Sequence, residues 1–537
     1  MKLPEESWRL ARGLSIILVG FLLPSLVLHG QNFDEIGFTF LRATTTNLNG
    51  ASIRVAQAEA GTPTWEVSPA DVGQPVSLFS FISAVGTSTT YPNAVGTNSM
   101  HATQVATNFY SLAYGIATNV AHVDNFEANY FINSIVNGSP SSNINDPVVN
   151  QSFSASGATI SQQQEYDSAY DNYAVQYKTL FITGAGNGGT LYPPGTCYNG
   201  ICVGVYGGTS STGPTPDNGR CKPDIISPGG AIGPQTSFAT AYVSGSAALL
   251  LQAARRGDGG TDTNSAADMR TLKALLLNGA VKPLGWTNAT FAPLDLRYGA
   301  GLLNVFNSYE ELLAGKHSYI VATSVTSGGA HLPTGATGTV GTLSGWDFNS
   351  LSSSTLPAMD GVNHYYFNVT NGMSKAGFAA AITLVWNRPA SASSLVHASI
   401  NNLGLFLYNA ANNNLVMVST SLVDNVQHVF VPQLAPGRYD LQVWKAGGSG
   451  IASASESYAL AWAFTVSTLT VTQAGTNAAV SWPIYPAGFG LQATTNLLST
   501  PWSANNLPAA SFANGTNTVL VPANSSAEFF RLYQPNF

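Results

Sequence analysis

Two short stretches of this chain place a base and a nucleophile where serine chemistry is feasible. His101 opens one apolar, small-residue stretch, and Ser237 opens another, within Thr-Ser-Phe-Ala-Thr-Ala. A serine hydroxyl is a poor nucleophile alone, and it needs a base, a group that orients the base and an oxyanion site. Asn187, between glycines in Gly-Ala-Gly-Asn-Gly-Gly, can donate a side-chain N–H to an oxyanion. The parts that an activated serine needs therefore have candidates in this chain.

The elements that must position these residues are predicted by hydrophobic periodicity. Strand-like and helical patterns alternate from about residue 34 to 314, which predicts an α/β domain with a doubly wound parallel sheet. In such sheets the active site lies at the carboxyl ends of strands, often at helix N-termini. Strands are expected at 53–60 and 180–186, and helices at 104–117, 238–254 and 269–277.

The texture of the chain changes after Lys316, where helical periodicity ends. Alternating strands separated by Gly, Asn and Pro turns predict an all-β sandwich, followed by a small β module. We therefore divide the chain into a signal peptide, the α/β domain, the sandwich and a C-terminal module, with bounds at 1–30, 31–315, 316–466 and 467–537.

Composition excludes some functions and favours export. Only 9% of the 537 residues are charged, the net charge is −7 and no basic run occurs, which argues against nucleic-acid binding. Lys2, Arg9 and Arg12 precede an apolar run from Leu14 to Leu28, typical of a secretory signal peptide with cleavage near residues 29–31. A retained N-terminal anchor is the alternative, and either predicts a secreted or cell-surface protein.

The chain has three cysteines, Cys197, Cys202 and Cys221. Two of them could pair in an oxidising compartment, and Cys197 and Cys202 flank a short turn where a disulfide would fit. The sequence does not decide the pairing. No Cys or His cluster has the spacing of a zinc site.

Several segments, in order along the chain, resemble the subtilisin-like serine peptidases (subtilases). Thr236, Ser237 and Ala239 match that family's Gly-Thr-Ser-x-Ala-x-Pro, although Gln235 and Ala241 depart from it. The other resembling segments are His-Ala-Thr-Gln-Val-Ala at 101–106, the Asn187 segment at 184–189, Lys-Pro-Asp-Ile-Ile-Ser-Pro-Gly-Gly at 222–230 and Tyr-Gly-Ala-Gly-Leu-Leu-Asn-Val at 298–305. The resemblance implies a subtilisin-like fold and a serine endopeptidase, with His101 as base, Ser237 as nucleophile and Asn187 at the oxyanion.

The third member of the implied triad departs from the family. Subtilases carry an aspartate at the end of the first strand, where Val-Ala-Gln-Ala-Glu-Ala-Gly at 55–61 places Glu59. Glutamate is one methylene longer, so we expect a slight shift of strand or imidazole. It would fix the histidine tautomer as aspartate does. Asp71, in a Pro- and Gly-containing segment, is the alternative.

The resemblance also suggests where a peptide substrate binds. The segment 151–158 resembles the family's specificity-pocket segment, which makes Ser152, Phe153, Ser154 and Gly157 candidate substrate-binding residues. No cofactor is expected. Structural calcium is common in the family, but no acidic loop here has convincing ligand spacing, and no metal ligands are assigned.

The C-terminal modules leave a second function open. The sandwich resembles bacterial pre-peptidase C-terminal domains in its 403–408 and 436–443 segments. With the last module it could contact a cell surface or a polysaccharide, or simply stabilise the protein. The alternative to a protease is thus a catalytically impaired subtilase scaffold that binds peptide or glycan, suggested by Glu59, Ala102 and Gln104.

Overall fold

The computed structural model describes residues 32–370, 378–389, 400–466, 468–497, 502–513, 516–524 and 527–533. The predicted signal peptide lies outside the described residues. Helices of the described chain are α1 (Phe38–Thr44), α2 (Met100–Phe109), α3 (Ala128–Tyr130), α4 (Ile160–Tyr177), α5 (Thr236–Arg256), α6 (Thr263–Ala266), α7 (Met269–Asn278) and α8 (Val305–Leu313). A π-helical segment, Phe131–Val136, continues α3, and two 3₁₀ turns span Val76–Leu78 and Gly230–Ile232.

One mixed sheet forms the centre of the first domain. Strands of this region are β1 (Arg54–Glu59), β2 (Thr64–Glu66), β3 (Phe79–Ser83), β4 (Gly86–Ser88), β5 (Thr97–Asn98), β6 (His122–Glu127), β7 (Val148–Gln151), β8 (Leu180–Gly184), β9 (Ile201–Val205) and β10 (Ile225–Ser227). The sheet order is β10-β9-β8-β7-β1-β6-β3-β4, and every neighbouring pair is parallel except β3 and β4. The predicted α/β class with a parallel sheet is confirmed.

Helix α5 lies at the core of this domain and packs on β7, β8 and β9. Almost its whole length is buried, because most of its residues are small or apolar. Gly245 in the middle of α5 is required by close packing, since a Cβ there would lie 2.5 Å from Cβ of Ile116. Helix α2 also packs against α5, so the two helices that carry His101 and Ser237 are neighbours.

The helix predicted at 104–117 is wrong at both ends. Helix α2 begins at Met100, where Ser99 caps it by accepting a hydrogen bond from the Ala102 N–H, and it ends at Phe109. The chain then folds back on the last turn, because the Ile116 N–H donates to the Asn108 carbonyl and the Ala117 N–H to the Phe109 carbonyl. The apolar residues that suggested a longer helix therefore fill the core as an irregular segment.

Two antiparallel sheets form the middle domain. Its strands are β11 (Val321–Thr326), β12 (Ser344–Ser352), β13 (Met359–Val369), β14 (Phe378–Trp386), β15 (Leu403–Asn409), β16 (Asn414–Ser419), β17 (Val426–Leu434), β18 (Gly437–Lys445) and β19 (Ser455–Thr465). The sheet β11-β13-β18-β15-β16 packs on β12-β19-β14-β17 around a core rich in Leu, Val and aromatic residues. The predicted sandwich is confirmed.

The sandwich packs directly against the α/β domain. Strands β14 and β19 pack on α7, and Trp346 and Val385 belong to the same buried cluster as the α/β core. Asn199 and Arg388 exchange two hydrogen bonds of 2.9 Å through the Asn199 side chain and the Arg388 backbone. The first domain thus has an apolar face that the sandwich covers.

The last module contains β20 (Thr470–Ala474), β21 (Asn477–Pro483), β22 (Gly490–Thr494), β23 (Ser511–Ala513), β24 (Thr516–Pro522) and β25 (Phe529–Tyr533). These strands form the antiparallel sheets β20-β21-β24-β23 and β22-β25 around a small core. Among the residues that the structure describes, no helix is long and apolar enough to cross a membrane.

The disulfide that the sequence allowed between Cys197 and Cys202 is absent. Cys197, Cys202 and Cys221 are all free and buried. Burial raises the pKa of the Cys202 thiol to about 12, so these side chains act as small apolar core residues.

Candidate active site

A buried carboxylate and a partly exposed histidine meet where β1 ends and α2 begins. The Nδ1 of His101 lies 2.8 Å from Oε2 of Glu59. The Glu59 side chain is 1% exposed and the His101 side chain is 41% exposed. Because an ionised carboxylate only accepts hydrogen bonds, His101 carries its proton on Nδ1 and leaves Nε2 free as a base.

The electrostatics of His101 follow from this pairing. Burial disfavours the protonated imidazole, but the hydrogen bond to Glu59 and the negative charge of Glu59 outweigh that effect and raise the pKa of His101 above its ordinary value. A carboxylate in this position stabilises the imidazolium that forms when the histidine accepts a proton.

The second oxygen of Glu59 is also occupied. Its Oε1 accepts a hydrogen bond of 2.8 Å from the side-chain amide of Gln57. Gln57 also donates to the Ala102 carbonyl at 2.9 Å and accepts from the Tyr110 hydroxyl at 2.6 Å. Sequence reasoning did not identify Gln57 or Tyr110, although a glutamine inside an otherwise apolar strand was a usable signal.

Ser237 lies in the first turn of α5, at the carboxyl end of the sheet. Its hydroxyl donates to the Ser152 carbonyl at 3.4 Å, and the Ser152 hydroxyl donates to the Ser237 carbonyl at 3.0 Å. The ring of Phe238, the next residue, is 6.0 Å from the His101 ring. The described residues show no hydrogen bond between Ser237 and His101; catalytic hydrogen bonds often tighten only when substrate binds.

Asn187 lies exposed in the loop after β8, next to the start of α5. Its Oδ1 accepts hydrogen bonds from the Thr236 N–H at 2.9 Å and the Thr236 hydroxyl at 3.1 Å. The Thr236 N–H can only donate, so the oxygen of the amide must face Thr236 and the Nδ2 must face away. That N–H group and the free N–H groups of the first turn of α5 can converge on an anion.

The alternative triad carboxylate and the candidate substrate-binding residues lie at or near the surface, apart from Ser152. Asp71 is exposed in a turn, and the carboxylate paired with His101 is that of Glu59. The segment after β7 has no regular secondary structure; Ser152 is buried there, Phe153 and Ser154 are half-buried and Gly157 is exposed. Gly157 has a φ of +83° with open space around it, so this end of the segment is an unobstructed turn.

His122, the other histidine of the first domain, lies at the opposite end of the sheet. It starts β6, with Nε2 2.9 Å from the Ser80 hydroxyl and 3.1 Å from an oxygen of Asp124. Both contacts involve the same ring nitrogen, so this group is not arranged as a catalytic relay. Within the described ranges, no group of three or more His, Cys, Asp or Glu side chains could hold a metal ion.

Residues 83–301 match the model of the subtilase family. His101, Asn187 and Ser237 lie inside the matched range, whereas Glu59 lies before it. No curated protein sequence matches the chain.

The solved structures with similarity to this chain include a protease and a peptidase of low sequence identity. The prenylagaramide maturation protease PagA is 20% identical, with 51% of this chain and 98% of that chain covered and a TM-score of 0.35. Tripeptidyl peptidase 2 is 12% identical, with 74% of this chain and 43% of that chain covered and a TM-score of 0.29.

Proposed function

Residues 83–301 form a subtilase region, and on that premise we propose that the protein is a secreted serine endopeptidase with a Ser237-His101-Glu59 triad. The observation that carries the proposal is the 2.8 Å contact between the buried Glu59 carboxylate and Nδ1 of His101. It leaves Nε2 of His101 as the free basic nitrogen, on a ring that lies 6.0 Å from the ring of Phe238, the residue after Ser237. The substrate is a peptide bond in a protein or peptide, and no cofactor takes part.

The proposed reaction proceeds through an acyl-enzyme. Ser237 Oγ attacks the scissile carbonyl while His101 Nε2 takes its proton, and the bond to the leaving amine breaks as His101 returns that proton to the amine nitrogen. Water then attacks the ester by the same route and regenerates Ser237. For the attack, the Ser237 hydroxyl must rotate away from the Ser152 carbonyl. The hydrogen bond between them is long, at 3.4 Å, and therefore weak.

The oxyanion formed in each step would be bound by Asn187 Nδ2 and the Ser237 backbone N–H. Both are held in place before substrate arrives, Asn187 by its two hydrogen bonds to Thr236 and Ser237 by the helix. Preorganised donors of this kind are typically the largest electrostatic contribution to acyl transfer.

We further propose that substrate lies along the segment after β7, with Ser152, Phe153, Ser154 and Gly157 as its contacts. Peptide recognition by main-chain pairing requires an accessible backbone without regular sheet partners, and this segment has no regular secondary structure. The basic residues and apolar run at the N-terminus support export of the protein.

A second candidate is a subtilase scaffold that binds peptide without turnover. The observation that favours it is the Ser237 hydroxyl, which contacts the Ser152 carbonyl rather than His101. A surface or polysaccharide contact through the β modules would suit this role.

Labelling with a fluorophosphonate distinguishes the two candidates, because only an activated serine reacts. We expect covalent labelling of the full chain, mapped by mass spectrometry to the peptide that contains Ser237, and none in Ser237→Ala. Ser246→Ala is the matched control, since Ser246 is a buried serine on the same helix; its labelling should equal that of the wild type. A folded wild-type protein that is not labelled would support the scaffold.

A further inference from the structure

A chain of buried polar groups leads from Glu59 to Tyr110, at the end of α2. Gln57 and Tyr110 are both fully buried. The Gln57 amide nitrogen lies 2.8 Å from Oε1 of Glu59 and 2.9 Å from the Ala102 carbonyl, and the Gln57 oxygen lies 2.6 Å from the Tyr110 hydroxyl. The path Tyr110–Gln57–Glu59–His101 thus joins β1 to both ends of α2.

The donor and acceptor directions in this path are fixed by chemistry. The Ala102 carbonyl can only accept, so the nitrogen of the Gln57 amide must face it, and the same nitrogen faces Glu59. The Gln57 oxygen then faces Tyr110, whose hydroxyl must donate. Burial and the negative charge of Glu59 raise the pKa of Tyr110 well above its ordinary value, so this hydroxyl stays protonated.

The hydrogen bond from Gln57 restricts the orientation of the Glu59 carboxylate. Gln57 and Glu59 are two residues apart on β1, so both side chains lie on the face of the sheet that meets α2. A glutamate side chain has one more rotatable bond than aspartate and more orientations to lose. With Oε1 held by Gln57, the carboxylate presents Oε2 to His101 in one orientation.

We propose that Gln57, itself oriented by Tyr110, is a positioning residue that fixes the Glu59 carboxylate against Nδ1 of His101. This inference rests on the proposed triad. It differs from a purely structural role, in which Gln57 would only tie β1 to α2 through the Ala102 carbonyl. A positioning role makes the effect of Gln57 on catalysis depend on Glu59, and a structural role does not.

The first test is a double-mutant cycle in the full chain. Gln57→Leu keeps the side-chain size but removes the N–H donor, and we expect kcat to fall on the order of 10–10²-fold with KM nearly unchanged, since misplacing a catalytic group by about 1 Å costs up to 10²-fold. In a Glu59→Gln background the same substitution should have little further effect on kcat, because the carboxylate that it positions is gone. An equal loss in both backgrounds, or no loss in either, would overturn the proposal.

Gln427→Leu is the matched control for stability. Gln427 is also a fully buried glutamine, and its amide donates to the carbonyls of Leu403 and Ser421 inside the sandwich. The Gln427→Leu variant should lower the thermal midpoint about as much as Gln57→Leu does, without changing kcat. If Gln57→Leu does not fold, Tyr110→Phe tests the same path, with a smaller expected loss of kcat that is again abolished by Glu59→Gln.

A second measurement separates this proposal from the proposed function. The ¹⁵N shifts of the His101 ring report which nitrogen holds the proton whether or not the protein turns over substrate. We expect an Nδ1–H tautomer in the wild type and a shift toward Nε2–H in Gln57→Leu. An unchanged tautomer would contradict the positioning role even if the peptidase assignment holds, whereas a shifted tautomer in an inactive wild type would support it even if that assignment fails.

Discussion

The backbone N–H of Thr236 donates a 2.9 Å hydrogen bond to Oδ1 of Asn187, which ties the loop after β8 to the start of α5. The Thr236 hydroxyl adds a second bond of 3.1 Å to the same oxygen. This local contact therefore fixes the position of the proposed oxyanion donor, Asn187, relative to the residue that precedes the proposed nucleophile, Ser237. Asn187 is exposed, so this contact replaces the packing that would otherwise fix its orientation.

Asn187→Ala removes a side-chain donor without removing any buried group. We expect kcat to fall on the order of 10²–10³-fold with KM little changed, because the donor acts on charge that develops only in the transition state. Steady-state kinetics on a peptide substrate measures this.

Thr236→Val is the companion variant. It deletes the hydroxyl bond to Asn187 but keeps the backbone bond, so its loss of kcat should be clearly smaller than that of Asn187→Ala. A loss in Thr236→Val as large as in Asn187→Ala would show that the asparagine acts only through its oxygen and does not reach the oxyanion.

The pH dependence of kcat/KM should reflect the Glu59–His101 pair. His101 must be neutral to accept a proton, and its pKa is raised by Glu59 despite burial, so kcat/KM should rise with pH with a midpoint above the value of about 6.5 for an unperturbed histidine. In Glu59→Gln the negative charge is lost while burial remains, so the pKa of His101 falls and the midpoint moves to lower pH. A midpoint that does not move would contradict the pairing.

The sandwich should contribute to the stability of the α/β domain. A chain ending at Ala314 would expose the face of α7 that β14 and β19 cover, and it would lose the bonds between Asn199 and Arg388. We expect a lower thermal midpoint and binding of a hydrophobic dye, measured by circular dichroism and fluorescence. A chain ending at Val466, which keeps the sandwich, is the control and should be closer to the full chain. Equal stability of all three chains would show that the interface contributes nothing.

Much of the architecture follows from sequence pattern because the apolar runs are long. The burial of β1 and α5 was predictable, since each carries a run of apolar or small residues, with Val55, Ala56 and Ala58 on β1 and Leu249, Leu250 and Leu251 on α5. Glu59 was identified because the segment 55–61 resembles the subtilase segment that carries the triad aspartate at the end of this strand. The polar helix α4 was not predicted, because it has no apolar stripe. A capping box formed by Thr159 and Gln162 begins the helix, and its buried tyrosines, Tyr170 and Tyr173, pack in the core.

The features that sequence could not provide are those made by contacts between distant elements. Helix α2 ends early because Ile116 and Ala117 fold back on it. The roles of Gln57 and Tyr110 depend on an amide orientation that only the Ala102 carbonyl fixes. The packing of the sandwich on α7 depends on residues more than a hundred positions apart.

We propose that Glu59, and not Asp71, orients His101 for catalysis. The most direct measurement is kcat of Glu59→Gln beside that of Asp71→Asn on one peptide substrate, with each variant shown to be folded. Glu59→Gln should lower kcat by roughly 10³–10⁴-fold by disfavouring the Nδ1–H tautomer, Glu59→Asp should keep partial activity, and Asp71→Asn, in an exposed turn, should match the wild type. A nearly unchanged kcat in Glu59→Gln together with a large loss in Asp71→Asn would show that Asp71, and not Glu59, orients His101.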